Sequence, residues 1–136
     1  TLAIDTDTKD FYILLAPDSS NSEIGIKMNL IRTGEGTLKP GETMWLNHTD
    51  HRIMAKLGGN VLTLGPNEEA VSSAPVAASG YYTAEFKYQR EARGNILKIT
   101  EQQWWHDMKS RHLGIISHTS GRLPKLIIYR DFRAPN

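Results

Sequence analysis

Two imidazoles and a carboxylate stand within four residues of one another in His48-Thr49-Asp50-His51. That combination of nitrogen and oxygen donors suits zinc or copper, and loops at the rim of a β-domain can gather ligands from separate strands. His106, Asp107, His112 and His118 are the further donors that a fold would have to bring near. The candidate metal set is therefore His48, Asp50, His51, His106 and His112. A competing reading gives Thr49 and Asp50 ordinary turn hydrogen bonds and leaves the histidines in solvent, because neither spacing matches an established ligand signature. A blue-copper centre is disfavoured, since its thiolate is missing from a chain with no cysteine.

The second concentration of chemistry is Gln103-Trp104-Trp105-His106-Asp107, which holds two of the three tryptophans. Adjacent residues of a strand face opposite sides, so one indole can enter a core while the other stays accessible. An exposed indole beside amide and carboxylate groups suits sugar stacking or a protein interface. Gln103, Trp104, Trp105 and Asp107 are the candidate ligand-binding residues. The competing reading has one indole in the core and the other over a sheet edge.

No motif names a reaction. Glu85, Glu101 and Asp107 are available for glycoside hydrolysis, but their spacing selects no pair. There is no nucleophile elbow, phosphate-binding loop or dinucleotide fingerprint, so no catalytic residue is assigned and no cofactor is expected. Asn47-His48-Thr49 also satisfies the N-glycosylation pattern, which matters only in a secreted eukaryotic protein.

The elements that must position these groups are short. Between Gly34 and Pro75, apolar runs at Thr43–Asn47, Arg52–Leu57, Val61–Leu64 and Ala70–Ser73 are each closed by Gly, Pro or Asn. Lys39-Pro40-Gly41-Glu42 predicts a type II turn with positive φ at Gly41, and Leu57-Gly58-Gly59-Asn60 predicts a hairpin. Phe11–Ala16 reads as a strand, and Glu23–Ile31 alternates strictly, with Ile24, Ile26, Met28 and Leu30 expected to face a core. In Tyr81–Tyr88, Tyr82, Ala84, Phe86 and Tyr88 share one face. Further strands are expected at Ile96–Ile99, Leu113–Ile116 and Leu126–Tyr129, and Glu101–His112 is the one stretch with helical character. Nine or ten short strands predict an all-β antiparallel sandwich, Ig-like or jelly-roll-like, with a small open barrel as the second choice. Residues 1–10 are read as an extended or frayed lead-in and residues 11–136 as one domain.

Composition narrows the partners. Net charge is +1 in 136 residues, divided as −3 over residues 1–68 and +4 over 69–136. This is too small an excess, with too few interleaved aromatics, for a nucleic-acid binder. The longest apolar stretches are too short for a transmembrane segment. Oxidation state carries no information without cysteine, and a start at Thr1 rather than Met allows a removed signal peptide and a trimmed start equally.

The segment Leu38–Pro75 resembles small exported bacterial proteins of uncharacterised function. The resemblance is carried by Pro40-Gly41-Glu42, Asn47-His48-Thr49, Leu57-Gly58-Gly59, Leu64-Gly65-Pro66, Ala74-Pro75 and Tyr81-Tyr82. It extends faintly to Phe11–Leu15, the tryptophan region and the last strand. It implies a periplasmic or extracellular location and carries over no catalytic residue. The expectation is a non-catalytic binding or assembly module with a protein or glycan partner. The alternative is a histidine-based metal protein or a hydrolase with its site at the sandwich rim.

Overall fold

A computed structural model describes residues 3–17, 25–33, 38–118 and 123–132. These residues form ten strands, β1 (Phe11–Pro17), β2 (Ile26–Arg32), β3 (Thr43–His48), β4 (Arg52–Leu57), β5 (Asn60–Leu64), β6 (Glu69–Ser72), β7 (Gly80–Gln89), β8 (Ile96–His106), β9 (Arg111–Ser117) and β10 (Lys125–Asp131). Among the described residues there is no helix, and so none long and apolar enough to cross a membrane.

The chain divides into two compact units, Thr1–Leu38 and Lys39–Asn136. In the first, β1 and β2 form a two-stranded antiparallel ribbon, with Phe11 opposite Arg32 and Pro17 opposite Ile26. The strand expected from Glu23 to Ile31 begins at Ile26; Glu23 and Ile24 lie outside the described residues. Its alternation does not bury the face expected: Ile26 and Met28, with Ile13 and Leu15 of β1, remain exposed, while Ile31 is the buried residue. A two-stranded ribbon has no second layer of its own to cover an apolar face.

The second unit is a β-sandwich. One sheet has the order β10-β9-β3-β6 and the other β5-β4-β7-β8, and neither closes into a barrel. Every neighbouring pair is antiparallel except β3 and β9, which run parallel from Thr43 opposite His112 to His48 opposite Ser117. The turns form as their residues require. Gly41 has φ +83°, and the Glu42 N–H donates to the Lys39 carbonyl at 3.0 Å across Pro40-Gly41. Gly58 has φ +56° between β4 and β5, and Asn67 takes φ +58° after Pro66.

The two sheets share one core. Trp45 and Ile116 come from one side, and Ile53, Ala55, Leu57, Leu64, Ala84, Phe86 and Tyr88 from the other. The expected face of β7 is thus the buried one. Trp45 anchors the contact: its ring centroid lies 5.2 Å from that of Phe86, and Nε1 donates to Ser72 Oγ at 2.9 Å. Gly114, its register partner on β9, makes room for the ring, since a Cβ there would overlap the six-membered ring of the indole. Fully burying such a side chain is worth about 3 kcal/mol.

The helical character expected over Glu101–His112 is not realised. β8 runs through Glu101–His106, paired with β7 to Gly80 opposite His106, and then turns at Asp107–Ser110. Cross-strand partners, Tyr81 for Trp105 and Tyr82 for Trp104, override a local composition compatible with helix. Asp107 directs the turn: its carboxylate accepts from the Lys109 N–H at 3.0 Å and Ser110 Oγ at 2.7 Å.

Candidate functional site

A cleft of about 450 Å³ opens along the side of the sandwich where the edge strands β8 and β10 face each other. β8 supplies Gln102, Gln103, Trp104, Trp105 and His106, and β10 supplies Leu126 and Ile128. Tyr82 of β7, Thr43 of β3 and His112 of β9 complete the lining. Of the candidate ligand-binding residues, Gln103, Trp104 and Trp105 therefore border one cleft. Asp107 stands outside it, and its carboxyl is held below the usual carboxylate range by hydrogen bonds from the Lys109 N–H and the Ser110 hydroxyl. Its nearest cationic partner is Arg130, with Nη1 at 3.7 Å.

The alternation of β8 divides the two indoles as expected. Trp104 turns inward, 5.5 Å from Phe86 and 6.3 Å from Tyr82 between ring centroids. Trp105 is 54% exposed on the opposite face of β8, set edge-on against Tyr81 at 5.0 Å, and borders the cleft from there. Gln103 is tethered by a bond from its Nε2 to Thr83 Oγ1 at 2.6 Å, and Gln102 Oε1 accepts from Trp104 Nε1 at 3.3 Å. Burial pushes the Tyr82 hydroxyl up to about 12, so it stays a neutral donor.

His106 and His112 stack at 4.8 Å with their planes 31° apart, and both are buried. Each imidazole bonds the backbone of the turn before β3, His106 at Gly41 and His112 at Glu42. Both pKa values are lowered, first by burial and, for His112, next by the charge of His106. The pair is therefore neutral at pH 7. His106 Nε2 and His112 Nδ1 are buried with no hydrogen-bond partner, a costly state for polar nitrogens unless water or a ligand meets them.

The candidate metal set does not come together as one site. His112 pairs with Thr43 at the start of β3, whereas Asp50 and His51 follow its end. The five intervening residues of strand put about 16 Å between the two groups. His48 ends β3, half-buried, opposite Ser117. At that end, ligand atoms of Asp50, His51 and His118 lie within 4.8 Å of one another. His51 is buried, contrary to the solvent-exposed reading, with its ring 5.5 Å from Tyr88 and 5.2 Å from His118.

Asn47 holds this turn. It is fully buried; Nδ2 donates to the carbonyls of His51 and Gly65, each at 2.8 Å, while Oδ1 accepts from Thr49 N at 3.0 Å and Oγ1 at 2.7 Å. An amide so enclosed cannot receive a glycan in the folded protein, so the Asn47-His48-Thr49 pattern is structural.

The acids considered for hydrolysis lie apart from the cleft. Glu85 and Glu101 face each other across β7 and β8, where like charges are offset by Lys87, 2.6 Å from Glu85, and by Lys98, which pairs with Glu101. Tyr82, Gln102, Thr43, Leu126 and Ile128 were not singled out from sequence. Only Tyr82 carried a signal, as an inward position of the alternating β7. No protein-family model matches the chain, and no curated protein matches it in sequence.

Proposed function

We propose that this protein is a non-catalytic binding module whose cleft between β8 and β10 takes an uncharged glycan. The observation that carries the reading is the lining itself. It combines the Trp104 indole, the Tyr82 phenol, the Gln102 amide, the Thr43 hydroxyl and two imidazoles kept neutral by burial, bordered by Gln103 and Trp105, with no Asp, Glu, Lys or Arg among its residues. Such a wall offers stacking area and neutral hydrogen-bonding groups, which fits a sugar ring better than a phosphate or a cation. It also lacks the paired carboxylates that glycoside hydrolysis requires. Action outside the cytoplasm belongs to the same proposal and rests on the resemblance to exported proteins.

A screen of neutral oligosaccharides, with anionic peptidoglycan fragments as the charged comparison, followed by tryptophan fluorescence, tests this reading. Saturable change in emission that is lost in Trp105→Ala, with the fold intact, is the expected result. If no glycan alters the emission, and Trp104→Ala and Trp105→Ala do no more than change stability, the reading fails. Protein assembly through the exposed edges then takes its place.

A further inference from the structure

We propose that Asp50, His51 and His118 form a binding site for a first-row divalent cation of the zinc and copper group, separate from the cleft. The parallel pairing of β3 with β9 creates it. His48 sits opposite Ser117, so the two strands leave the sheet at the same end, and the turn after β3 meets the residue after β9. The carboxylate and imidazole of the adjacent Asp50 and His51 thereby come within 4.8 Å of the imidazole of His118, distant in sequence.

The spacing is close to what a metal demands. Asp50 Oδ1 lies 3.2 Å from His51 Nδ1, and metal–ligand bonds of 2.0–2.1 Å give a tetrahedral ligand–ligand edge of about 3.4 Å. Closing the remaining distance falls to Asp50 and His118, whose side chains are exposed. His51 is the fixed member. Asn47 Nδ2 donates to its carbonyl at 2.8 Å, and Tyr88 and His118 flank its ring.

His51 Nδ1 points to a ligand independently of the cluster. It is buried and, although within ion-pair distance of Asp50, has no partner in hydrogen-bond geometry. The distance reports proximity while the angle decides bonding, so this nitrogen is unsatisfied in a side chain about nine-tenths buried. A cation between it, Asp50 and His118 would use its lone pair. Two imidazoles favour zinc, nickel or copper over magnesium or calcium, whose ligands are almost all oxygen. Three protein ligands leave a coordination position open to water or an exogenous group.

The test uses the whole chain, freed of metal by chelation and titrated with zinc by calorimetry and with cobalt(II) by visible absorption. The wild-type protein is expected to bind one equivalent of zinc and to develop ligand-field bands with cobalt. His118→Ala and Asp50→Asn change exposed side chains, so they should keep the fold and weaken zinc binding at least tenfold. His51→Gln should do the same, and if it does not fold the two exposed variants still decide the matter. The double variant His106→Gln/His112→Gln should bind zinc as the wild type does. The proposal is overturned if the wild-type protein takes up neither metal saturably, if His118→Ala and Asp50→Asn bind zinc unchanged, or if uptake follows the His106 and His112 pair instead.

Discussion

Replacing Asn47 by Ala should be among the most damaging single changes in the sandwich, although this residue reads from sequence as ordinary turn punctuation. Its side chain makes two donor bonds at 2.8 Å and accepts two more from Thr49, all in a site closed to solvent. Not every partner is stranded by its loss. The Gly65 carbonyl still accepts from the Glu68 N–H at 3.2 Å, and Thr49 Oγ1 can turn to the His51 carbonyl at 3.3 Å. The Thr49 N–H is left bare, at a cost of about 1–3 kcal/mol, and the remaining bonds are worth about 1 kcal/mol each before relaxation. Allowing for water entering the vacated space, the loss should be about 3–4 kcal/mol, or roughly 10–20 °C in Tm for a domain of this size. Urea titration followed by circular dichroism measures it, with an unchanged m-value marking a true stability effect. Asn47→Asp sharpens the test, because the carboxylate keeps the acceptor role but sets an anion against two carbonyls. Its folded pKa should rise above the unfolded value, so this variant should be least impaired at low pH and lose stability as the pH rises through the normal carboxylate range. Asn47→Ala within 1 kcal/mol of wild type, or Asn47→Asp as stable as wild type at pH 7, would refute the reasoning.

Gly114→Ala drives a methyl into the Trp45 ring, so thermal unfolding should show a loss of about 3 kcal/mol or more. Trp45→Leu should remove most of that added penalty in a double-mutant cycle, and a full penalty in the double variant would contradict the proposed overlap. Because burial lowers the pKa of His106 and His112, the unfolded chain takes up protons that the folded one resists. Stability should be level above pH about 6.5 and fall as the pH drops below it; a Tm profile from pH 8 to 5 should flatten in His106→Gln, and an unchanged slope would point to other groups. Trp105→Ala, at a half-exposed position that pairs across the strands with Tyr81, should cost no more than about 1 kcal/mol in chemical denaturation, and a loss of several kcal/mol would show that the indole is structural.

The strands and turns were legible because their causes are local. Arg52–Leu57 coincides with β4, the inward face of β7 follows its alternation, and Gly41 and Gly58 take the positive φ that their turns require. The strand at Glu101–His106, within the stretch Glu101–His112 whose composition suits a helix, depends on pairing with β7, which no short window of sequence contains. The alternation of β2 was read correctly as a strand and wrongly as a core face, since burial depends on a second layer that periodicity does not supply. The same division applies to the sites. Gln103, Trp104 and Trp105 could be named because they are consecutive, but the strands around them decided that they border a cleft and that its walls carry no charge. His48, Asp50, His51, His106 and His112 could be named as donors. The short turn that carries the chain from β8 into β9 of the other sheet decided that His106 and His112 stack at one end, and the parallel register of β3 and β9 decided that Asp50 and His51 meet His118 at the other. Sequence by itself determined where the backbone can bend and which residues alternate, because steric and turn preferences act over a few residues. Which chemical groups face one another was decided by long-range strand pairing, whose energy comes from burial and hydrogen bonds between segments distant in the chain.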